Sequence, residues 1–326
     1  MSIRLLEALR LLSNENFVSG AHLAARLGCS RASIHNLLKG ADALGLDIHA
    51  VQGRGYRLAQ SVDWLDADFL VRHLRPLGMG PQVFDRLPST NTHLMDAART
   101  GAQHRTVVIA ELQTEGRGRR GRSWLAPAGR GLTFSLLWRS SRPAAELSGL
   151  SLAVGFMLVS ALRDLGVAGA EVKWPNDILV AGAKLGGVLI ELSGEMQGPS
   201  AAVIGVGLNV RGADDIGGQV GQAVTDLAAH GVQRSRNEVL VALLQGLNAG
   251  LARFEQVGFP GFLPGWNLCH AFHGQDVALL TGQGERIVGR VEGVDESGAL
   301  LLRTVSGLGR FHSGEVSLRG MRGTAP

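Results

Sequence analysis

The chain has 326 residues and 45% hydrophobic content, enough for two or three domains with a sizeable core. Its net charge is +4, and no apolar run is long enough to predict a membrane-spanning helix. Cys29 and Cys269 lie far apart without metal-ligand spacing, so we expect neither a disulfide framework nor a cysteine metal site. The N-terminus lacks the pattern of a secretory signal, and we expect a cytoplasmic protein.

Residues 1–62 carry most of the net charge, with seven basic and four acidic side chains. Apolar spacing predicts a helix over 3–12, and Ser19 and Ser30 are the expected caps of two further helices, over 20–28 and 31–45. The following stretch, LDIHAVQGRGYRL, predicts two short strands around a basic hairpin tip. Three helices and a basic hairpin are typical of a winged helix, so we predict that residues 1–62 form a DNA-binding domain.

Polar side chains on the third helix and in the hairpin are the candidates for DNA contacts. The start of a recognition helix is where base edges are usually contacted, and hairpin arginines can reach phosphates. A helical interaction module with a solvated basic face is the alternative. The predicted DNA-binding residues are Ser30, Arg31, Ser33, His35, Asn36, Lys39, Arg54 and Arg57.

A second predicted domain spans residues 63–270. Runs of apolar and β-branched residues predict strands over 105–112, 131–138, 170–174, 177–181, 184–192 and 200–210. Helices are expected at 91–100, about 145–166 and about 236–256, and a loop at 211–224. Strict β-α-β alternation is absent, which favours an α+β fold with a mixed sheet and helices on one face. Residues 271–326 predict a third domain of strands and turns, a small SH3-like β-barrel.

The stretch ELQTEGRGRRGRSW, residues 111–124, contains a G-x-G-x-x-G spacing at Gly116, Gly118 and Gly121. A dinucleotide-binding turn needs a helix directly afterwards, and Pro127 with the glycines around it opposes one. Backbone N–H groups and arginine side chains in a flexible loop suit phosphates and carboxylates equally well. We interpret this stretch as an anion-binding loop that orders over its ligand.

The residues that flank this loop favour a small-molecule pocket over a nucleic-acid tail. Gln113 ends a predicted strand and can make directed hydrogen bonds, whereas Trp124 offers a stacking surface just past the loop. The chain contains no G-x-x-x-x-G-K-[ST] motif, so a P-loop is excluded.

Two further motifs carry groups suited to chemistry on phosphates. In KWPNDILV, Pro175 enforces a break between strands and places Asn176 and Asp177 where they can face a pocket. A simple Asn-Asp turn is the alternative. In AKLGGVLIE, Lys184 precedes glycines that permit close approach of a ligand, and it can neutralise charge that grows as a carboxylate joins a phosphate. A solvated turn lysine is the alternative there.

The motifs DRLPSTNTHL, QTEGRGRRGRSW, KWPNDI, KLGGVLIE and IGVGLNV stand in the order seen in biotin–protein ligases, which the chain resembles over nearly its whole length. Residues 18–58 resemble the winged helix of the bifunctional members, the biotin operon repressors, and GALLLRTVSGLGRFHSGEVSLR resembles their C-terminal domain. The resemblance implies activation of biotin with MgATP to biotinyl-5′-AMP, and transfer of biotin to a lysine of the biotin carboxyl carrier protein of acetyl-CoA carboxylase. It also implies repression at operator DNA by an adenylate-bound homodimer.

The resemblance also implies roles for individual residues. The biotin-binding set is Ser89, Thr90, Asn91, Gln113, Arg117, Gly118, Arg119, Lys184 and Gly187. The ATP and adenylate set is Arg122, Trp124, Asn176 and Asn209, and the catalytic set is Lys184, Arg119 and Asp177. Mg²⁺ is expected to enter with ATP, near Asp177, and no fixed protein metal site is expected.

Two other functions compete with this interpretation. A biotin-sensing transcription factor without catalysis is opposed by the intact Lys184 and the intact sequence GRGRRGR. A lipoate-type acyl ligase is opposed by the arginine-glycine loop and the winged helix, which that class lacks. The 211–224 loop has Val224 near the place where some repressor-type relatives carry a tryptophan, which weakens the inference of adenylate-driven dimerisation.

Overall fold

The computed structural model describes residues 3–194, 200–213, 221–281, 285–312 and 316–320. It confirms the predicted α+β class: an N-terminal winged helix, a central mixed sheet with helices, and a C-terminal antiparallel sheet. Across these ranges, no helix combines the length and the apolar character that a membrane span requires.

The N-terminal unit contains the three predicted helices and the predicted hairpin. These are α1 (Ile3–Arg10), α2 (Gly20–Leu27), α3 (Arg31–Leu38), β1 (Ile48–Val51) and β2 (Gly55–Leu58). Ser19 and Ser30 cap α2 and α3 by accepting backbone hydrogen bonds, as predicted. The third helix ends at Leu38 instead of continuing to residue 45, because Gly40 is a poor helix former and the chain turns through a short 3₁₀ segment. This turn brings Leu44 into the core of the unit, to which Ile34 also belongs.

Seven strands form the central sheet. They are β3 (Gly80–Leu87), β4 (Thr106–Gln113), β5 (Gly131–Ser140), β6 (Ala170–Lys173), β7 (Asp177–Val180), β8 (Ala183–Gly194) and β9 (Ser200–Asn209). Their order is β3-β4-β5-β9-β8-β7-β6, in which β3 and β4 run parallel and the other neighbours antiparallel. Sequence patterning missed the edge strand β3, because few of its residues are apolar and it contains Pro81.

Helices cover both faces of this sheet. They are α4 (Ala67–Leu74), α5 (Thr90–Arg99), α6 (Leu150–Asp164), α7 (Arg236–Val257) and α8 (Leu263–Leu268). Helices α6 and α7 pack on the face that includes Val107 and Ile109, whereas α5 packs on the opposite face with Val108 and Ala110. Successive residues of a strand point to opposite faces of the sheet, and β4 is apolar on both faces, so each face can pack against helices. Helix α5 therefore adds a second helical layer to the single one predicted.

The C-terminal unit is a five-stranded antiparallel sheet in the order β13-β12-β11-β10-β14. Its strands are β10 (Asp276–Thr281), β11 (Arg286–Val294), β12 (Leu300–Thr304), β13 (Gly307–Phe311) and β14 (Val316–Gly320). Its apolar face joins the main core, and Trp174 of the central unit donates a hydrogen bond from Nε1 to the carbonyl oxygen of Gly298 at 3.1 Å. The C-terminal sheet therefore packs directly behind the KWPND motif.

A buried ion pair of the central unit lies at the junction with the winged helix. Arg236 Nη2 donates to Glu111 Oε1 at 2.7 Å, and both side chains are fully buried. The other carboxylate oxygen of Glu111 accepts from the backbone N–H of Leu65 at 3.1 Å and lies 3.6 Å from Arg10 Nη2 of α1. The predicted boundary between residues 62 and 63 falls in this junction and stays a prediction, as does the boundary at 270.

Candidate active site

A cavity of about 510 Å³ lies at one end of the central sheet, where β4, β5, β7, β8 and β9 begin or end. This volume is within the range of small-molecule sites. All the residues predicted for biotin, nucleotide and catalysis line it, although they come from five separate motifs: Ser89, Thr90, Asn91, Gln113, Arg117, Gly118, Arg119, Arg122, Trp124, Asn176, Asp177, Lys184, Gly187 and Asn209. The fold thus brings the set together, and the role of each residue stays a prediction.

At one end of the cavity, neutral polar groups form a continuous network. Gln113 Oε1 accepts from the backbone N–H of Thr90 at 2.7 Å and from its hydroxyl at 3.0 Å. The Ser135 hydroxyl lies 2.8 Å from Thr90 Oγ1 and 2.6 Å from Asn91 Oδ1. Ser89 caps α5 and fixes the start of the helix. Because Gln113 Oε1 is occupied, its amide nitrogen is the group that remains to donate to a neutral ligand.

The Asn91 side chain is bonded within the protein and forms part of the cavity wall. Its side chain is buried, and its Nδ2 donates to the Leu189 carbonyl at 3.1 Å and to Glu191 Oε2 at 2.8 Å. Both amide hydrogens are therefore used within the protein. A Cβ atom at Gly205 would lie 2.2 Å from Asn91 Oδ1, so a glycine is required behind this side chain.

The arginine-glycine loop folds as a hairpin along the cavity. Gly118 N–H donates to the Arg122 carbonyl at 2.7 Å, and Trp124 N–H donates to the Gly116 carbonyl at 2.8 Å. A Cβ atom at Gly116 would lie 2.4 Å from the Trp124 carbonyl oxygen, so the base of the hairpin leaves no room for a side chain. The structure describes every residue between the loop and β5, and none of them is in an α-helix. A dinucleotide-binding turn would need a helix at this place, so the structure agrees with the rejection of that interpretation.

Arg119 carries a poorly solvated charge into the cavity. Burial lowers its pKa from the usual value, and the neighbouring Arg120 and Arg122 lower it further, whereas Asp177 raises it. Its Nη1 lies 3.4 Å from Asn176 Oδ1. An arginine remains protonated in proteins, so this cation gains by pairing with an anionic ligand group.

Lys184 and Asp177 form a close ion pair in the cavity wall, with Lys184 Nζ 2.7 Å from Asp177 Oδ1. Lys173 Nζ lies 3.9 Å from the other oxygen of the same carboxylate. The side chain of Asn176 donates to the Val188 carbonyl at 2.8 Å and thereby fixes the KWPND turn on β8. The Asp177 carboxylate thus orients the ammonium group of Lys184.

These contacts do not fit a fixed Mg²⁺ site at Asp177, because both carboxylate oxygens already face ammonium groups. Over the described ranges, no cluster of three or more His, Cys, Asp or Glu residues is placed to hold a metal ion. A metal ion that accompanies a nucleotide would take most of its ligands from phosphates and water.

The other end of the cavity is built around Trp124. A Cβ atom at Gly207 would lie 2.2 Å from its indole ring, so the ring packs directly on the backbone of β9. The indole nitrogen is buried and finds no hydrogen-bond partner among the described residues, which leaves it available to a polar ligand. Asn209 Nδ2 donates to the carbonyls of Thr225 and Lys184 at 3.1 and 3.4 Å and therefore supports the lysine strand.

Sequence patterns missed two polar side chains of this site, Ser135 and Glu191. Each is a polar residue in a strand that is otherwise largely apolar, and a polar group in such a place needs a hydrogen-bond partner. This need for a partner was the signal in the sequence that could have identified both residues. Leu318 of the C-terminal sheet also lines the cavity, a contact that no local pattern shows.

The predicted DNA-binding residues lie at the surface of the winged helix. Arg57 is half-buried and the others are exposed, namely Ser30, Arg31, Ser33, His35, Asn36, Lys39 and Arg54. The guanidinium carbons of Arg54 and Arg57 lie 4.4 and 5.3 Å from the centre of the Phe17 ring. His35 Nδ1 lies 3.3 Å from the Tyr56 hydroxyl and connects α3 with the hairpin. Their contact with DNA stays a prediction.

Three family models match this chain. Residues 83–209 match the Biotin/lipoate A/B protein ligase family, residues 4–57 match an HTH domain, and residues 272–319 match the Biotin protein ligase C terminal domain. Among solved structures, the biotin protein ligase from Aquifex aeolicus in complex with biotin and ATP is 31% identical, with a TM-score of 0.64. That comparison covers 74% of this chain and 99% of the other.

Two curated relatives match this chain over nearly its whole length. The chain is 36% identical over 315 residues to the bifunctional ligase/repressor BirA of Escherichia coli, covering 96% of this chain and 97% of that protein. It is 29% identical over 318 residues to the protein of the same name from Bacillus subtilis, covering 96% and 97%. The chain therefore belongs to the biotin protein ligase family, with the winged helix of its bifunctional ligase/repressor members.

Proposed function

We propose that this chain activates biotin with ATP to biotinyl-5′-AMP and then transfers biotin to a lysine of the biotin carboxyl carrier protein of acetyl-CoA carboxylase. The observation that carries the proposal is the position of the Lys184–Asp177 pair, 2.7 Å apart on the wall of a cavity. A neutral hydrogen-bonding network lies at one end of that cavity and an indole surface at the other. The neutral end suits a ureido ring, and the indole suits adenine.

The activation step needs positioning and charge neutralisation. A biotin carboxylate oxygen attacks the α-phosphorus of ATP, a new O–P bond forms, and pyrophosphate leaves with the electrons of the broken bond. Lys184 and Arg119 neutralise the negative charge that gathers where the two anions meet. No protein nucleophile is required, because holding both substrates in one cavity supplies the proximity.

The transfer step consumes the adenylate. The neutral amine of the carrier lysine attacks the mixed-anhydride carbonyl, an amide bond forms, and AMP leaves with the electrons of the broken C–O bond, while the amine releases a proton. Water would compete for the same carbonyl, so the arginine-glycine loop has to exclude it until the carrier docks.

The winged helix supports a second activity, binding to operator DNA as a biotin-responsive repressor. We propose that the adenylate is the corepressor and that the adenylate-bound form is a homodimer. The support is the exposed polar face of α3 with its basic hairpin, together with the full-length similarity to proteins named as bifunctional ligase/repressors.

A labelling assay tests the ligase proposal. Purified protein, MgATP, labelled biotin and an isolated carrier domain should give label on the carrier, and omission of ATP should abolish it. If the complete mixture leaves the carrier unlabelled, the chain is not a ligase, and the non-catalytic biotin sensor becomes the better interpretation.

A gel-shift assay tests the repressor proposal separately. DNA from upstream of biotin synthesis genes should bind more tightly when both biotin and ATP are present than with either alone. Equal affinity in all conditions would contradict the corepressor role without affecting the ligase proposal.

A further inference from the structure

Glu191 is a carboxylate near the biotin end of the cavity that belongs to none of the predicted sets. It lies on β8 on the same side of the strand as Gly187 and Leu189, two residues that line the cavity. Its side chain is 29% exposed, and it makes hydrogen bonds to two different elements of the site.

The first bond reaches the cavity wall. Glu191 Oε2 accepts from Asn91 Nδ2 at 2.8 Å, and Asn91 Oδ1 in turn lies 2.6 Å from the Ser135 hydroxyl. Ser135 continues to Thr90, whose hydroxyl donates to Gln113. Glu191 is thus the charged end of the network that shapes the biotin end.

The second bond reaches the arginine-glycine loop. Arg117 Nη2 lies 3.1 and 3.2 Å from the two carboxylate oxygens of Glu191 and 3.0 Å from Thr92 Oγ1. Arg117 is the first arginine of the loop and directly precedes Gly118. Farther along the loop, Arg119 approaches Asn176 on the nucleotide side, so the loop is held at two separate places.

We propose that Glu191 is a positioning residue of the ligase site, which holds the arginine-glycine loop over biotin through Arg117 and fixes the wall through Asn91. This inference rests on the proposed function. Because the Asn176 contact of the loop does not involve Glu191, its loss should weaken retention of biotin and leave ATP binding unchanged.

A double-mutant cycle tests the pair. Glu191→Gln keeps an oxygen acceptor for Asn91 and removes the charge that pairs with Arg117, and Arg117→Gln removes the other partner. Each single variant should raise the KM for biotin about fivefold, the size expected for a partly exposed ion pair worth about 1 kcal/mol. The KM for biotin of the double variant should be no higher than that of the single variant with the higher KM. The KM for ATP should not change in any of them.

Limited trypsin digestion provides a readout that does not depend on turnover. With saturating biotin, the loop of Glu191→Gln should be cleaved faster than the loop of the original protein. Glu292→Gln is the matched control, because it breaks a surface ion pair of the same kind, with Arg303 at 2.7 Å on the C-terminal sheet, outside the site. Cleavage and KM for biotin should stay unchanged in that variant.

Several results would overturn the inference: additive effects in the cycle, equal rises in the KM values for biotin and ATP, or the same change in Glu292→Gln. Equal melting temperatures of the variants would show that the fold is intact. Should Glu191→Gln fail to fold, Arg117→Gln reports on the same contact from an exposed position. A protein that binds biotin but never labels the carrier refutes the proposed function, whereas the digestion experiment still decides the role of Glu191.

Discussion

The ammonium group of Lys184 is the group best placed to act on reacting substrates. Its Nζ is 2.7 Å from Asp177 Oδ1, and its backbone is held by the Ala223 carbonyl and by Asn209. A lysine held by a carboxylate and by its own strand loses little entropy when it meets two anions. The Lys184 side chain is only 18% exposed. This geometry does not agree with the alternative that Lys184 is a solvated turn lysine.

Lys184→Ala should retain measurable biotin binding and lose most adenylate formation. The proposed function places the neutral ring elsewhere in the cavity, and removing one preorganised charge costs about 10²- to 10³-fold in turnover. Pyrophosphate release measures the activation step, and Lys39→Ala, a lysine on the exposed winged-helix face, serves as the matched control. Near-normal turnover of Lys184→Ala would refute its catalytic role.

Asp177→Asn should also slow activation, by about tenfold, because the ammonium group loses the charge that orients it. Biotin affinity should change little. A variant that loses biotin affinity but keeps its turnover at saturation would assign Asp177 to binding and not to orientation, and equilibrium binding beside single-turnover kinetics separates the two.

At the scale of elements, β9 determines how closely the side chains of the site can approach the backbone of the sheet. Its residues Gly205 and Gly207 leave room for Asn91 on one side of the site and for Trp124 on the other. The sequence motif IGVGLNV predicted a strand here, and the strand is present. That two of its glycines accommodate side chains from α5 and from the end of the arginine-glycine loop became apparent only from the tertiary contacts.

Gly207→Ala should weaken ATP binding more than biotin binding. The added Cβ would lie 2.2 Å from the Trp124 ring, so the ring has to shift at the end of the cavity where we propose that adenine binds. We expect a rise in the KM for ATP of about tenfold, corresponding to about 1.4 kcal/mol. Gly169→Ala is the control, because its Cβ would make ordinary contact with Val180 at 3.7 Å. An unchanged KM for ATP would mean that Trp124 does not support the nucleotide.

At the scale of the whole molecule, the winged helix and the ligase unit share a buried junction. Arg236 donates to Glu111, to the Gly131 carbonyl at 2.8 Å and to the Asp63 carbonyl at 2.7 Å, so one side chain joins α7, the sheet and the connecting segment. Ala128, which follows the arginine-glycine loop, packs in the core of the winged helix. The DNA-binding unit is therefore in contact with the segment that leads out of the active site.

Arg236→Ala should destabilise the fold strongly, because it leaves the Glu111 carboxylate buried without its main partner. Breaking one side of such a pair costs about 3–5 kcal/mol, which denaturant unfolding would measure. Arg234→Ala, two residues away and exposed, should change the unfolding free energy by less than about 0.5 kcal/mol. Equal stability of the two variants would show that the buried pair contributes little to folding.

Local patterns were sufficient for much of the fold. Capping serines located α2 and α3, and β-branched runs located most central strands to within a few residues. They were less informative where tertiary contacts override local preference. The third helix ends early because Leu44 reaches the core through a turn, and β3 was missed because an edge strand need not be apolar.

By itself, the sequence determined the α+β class, the order of the three units and the residues that could form one site, because periodicity, caps and turn residues act over short distances along the chain. Only the tertiary structure decided which of those polar atoms are already used. Asn91 donates both amide hydrogens to the protein, Asp177 faces two ammonium groups, and Glu191 joins the site through Arg117. These pairings depend on residues far apart in sequence that strand order brings within hydrogen-bond distance, and no local pattern encodes that order.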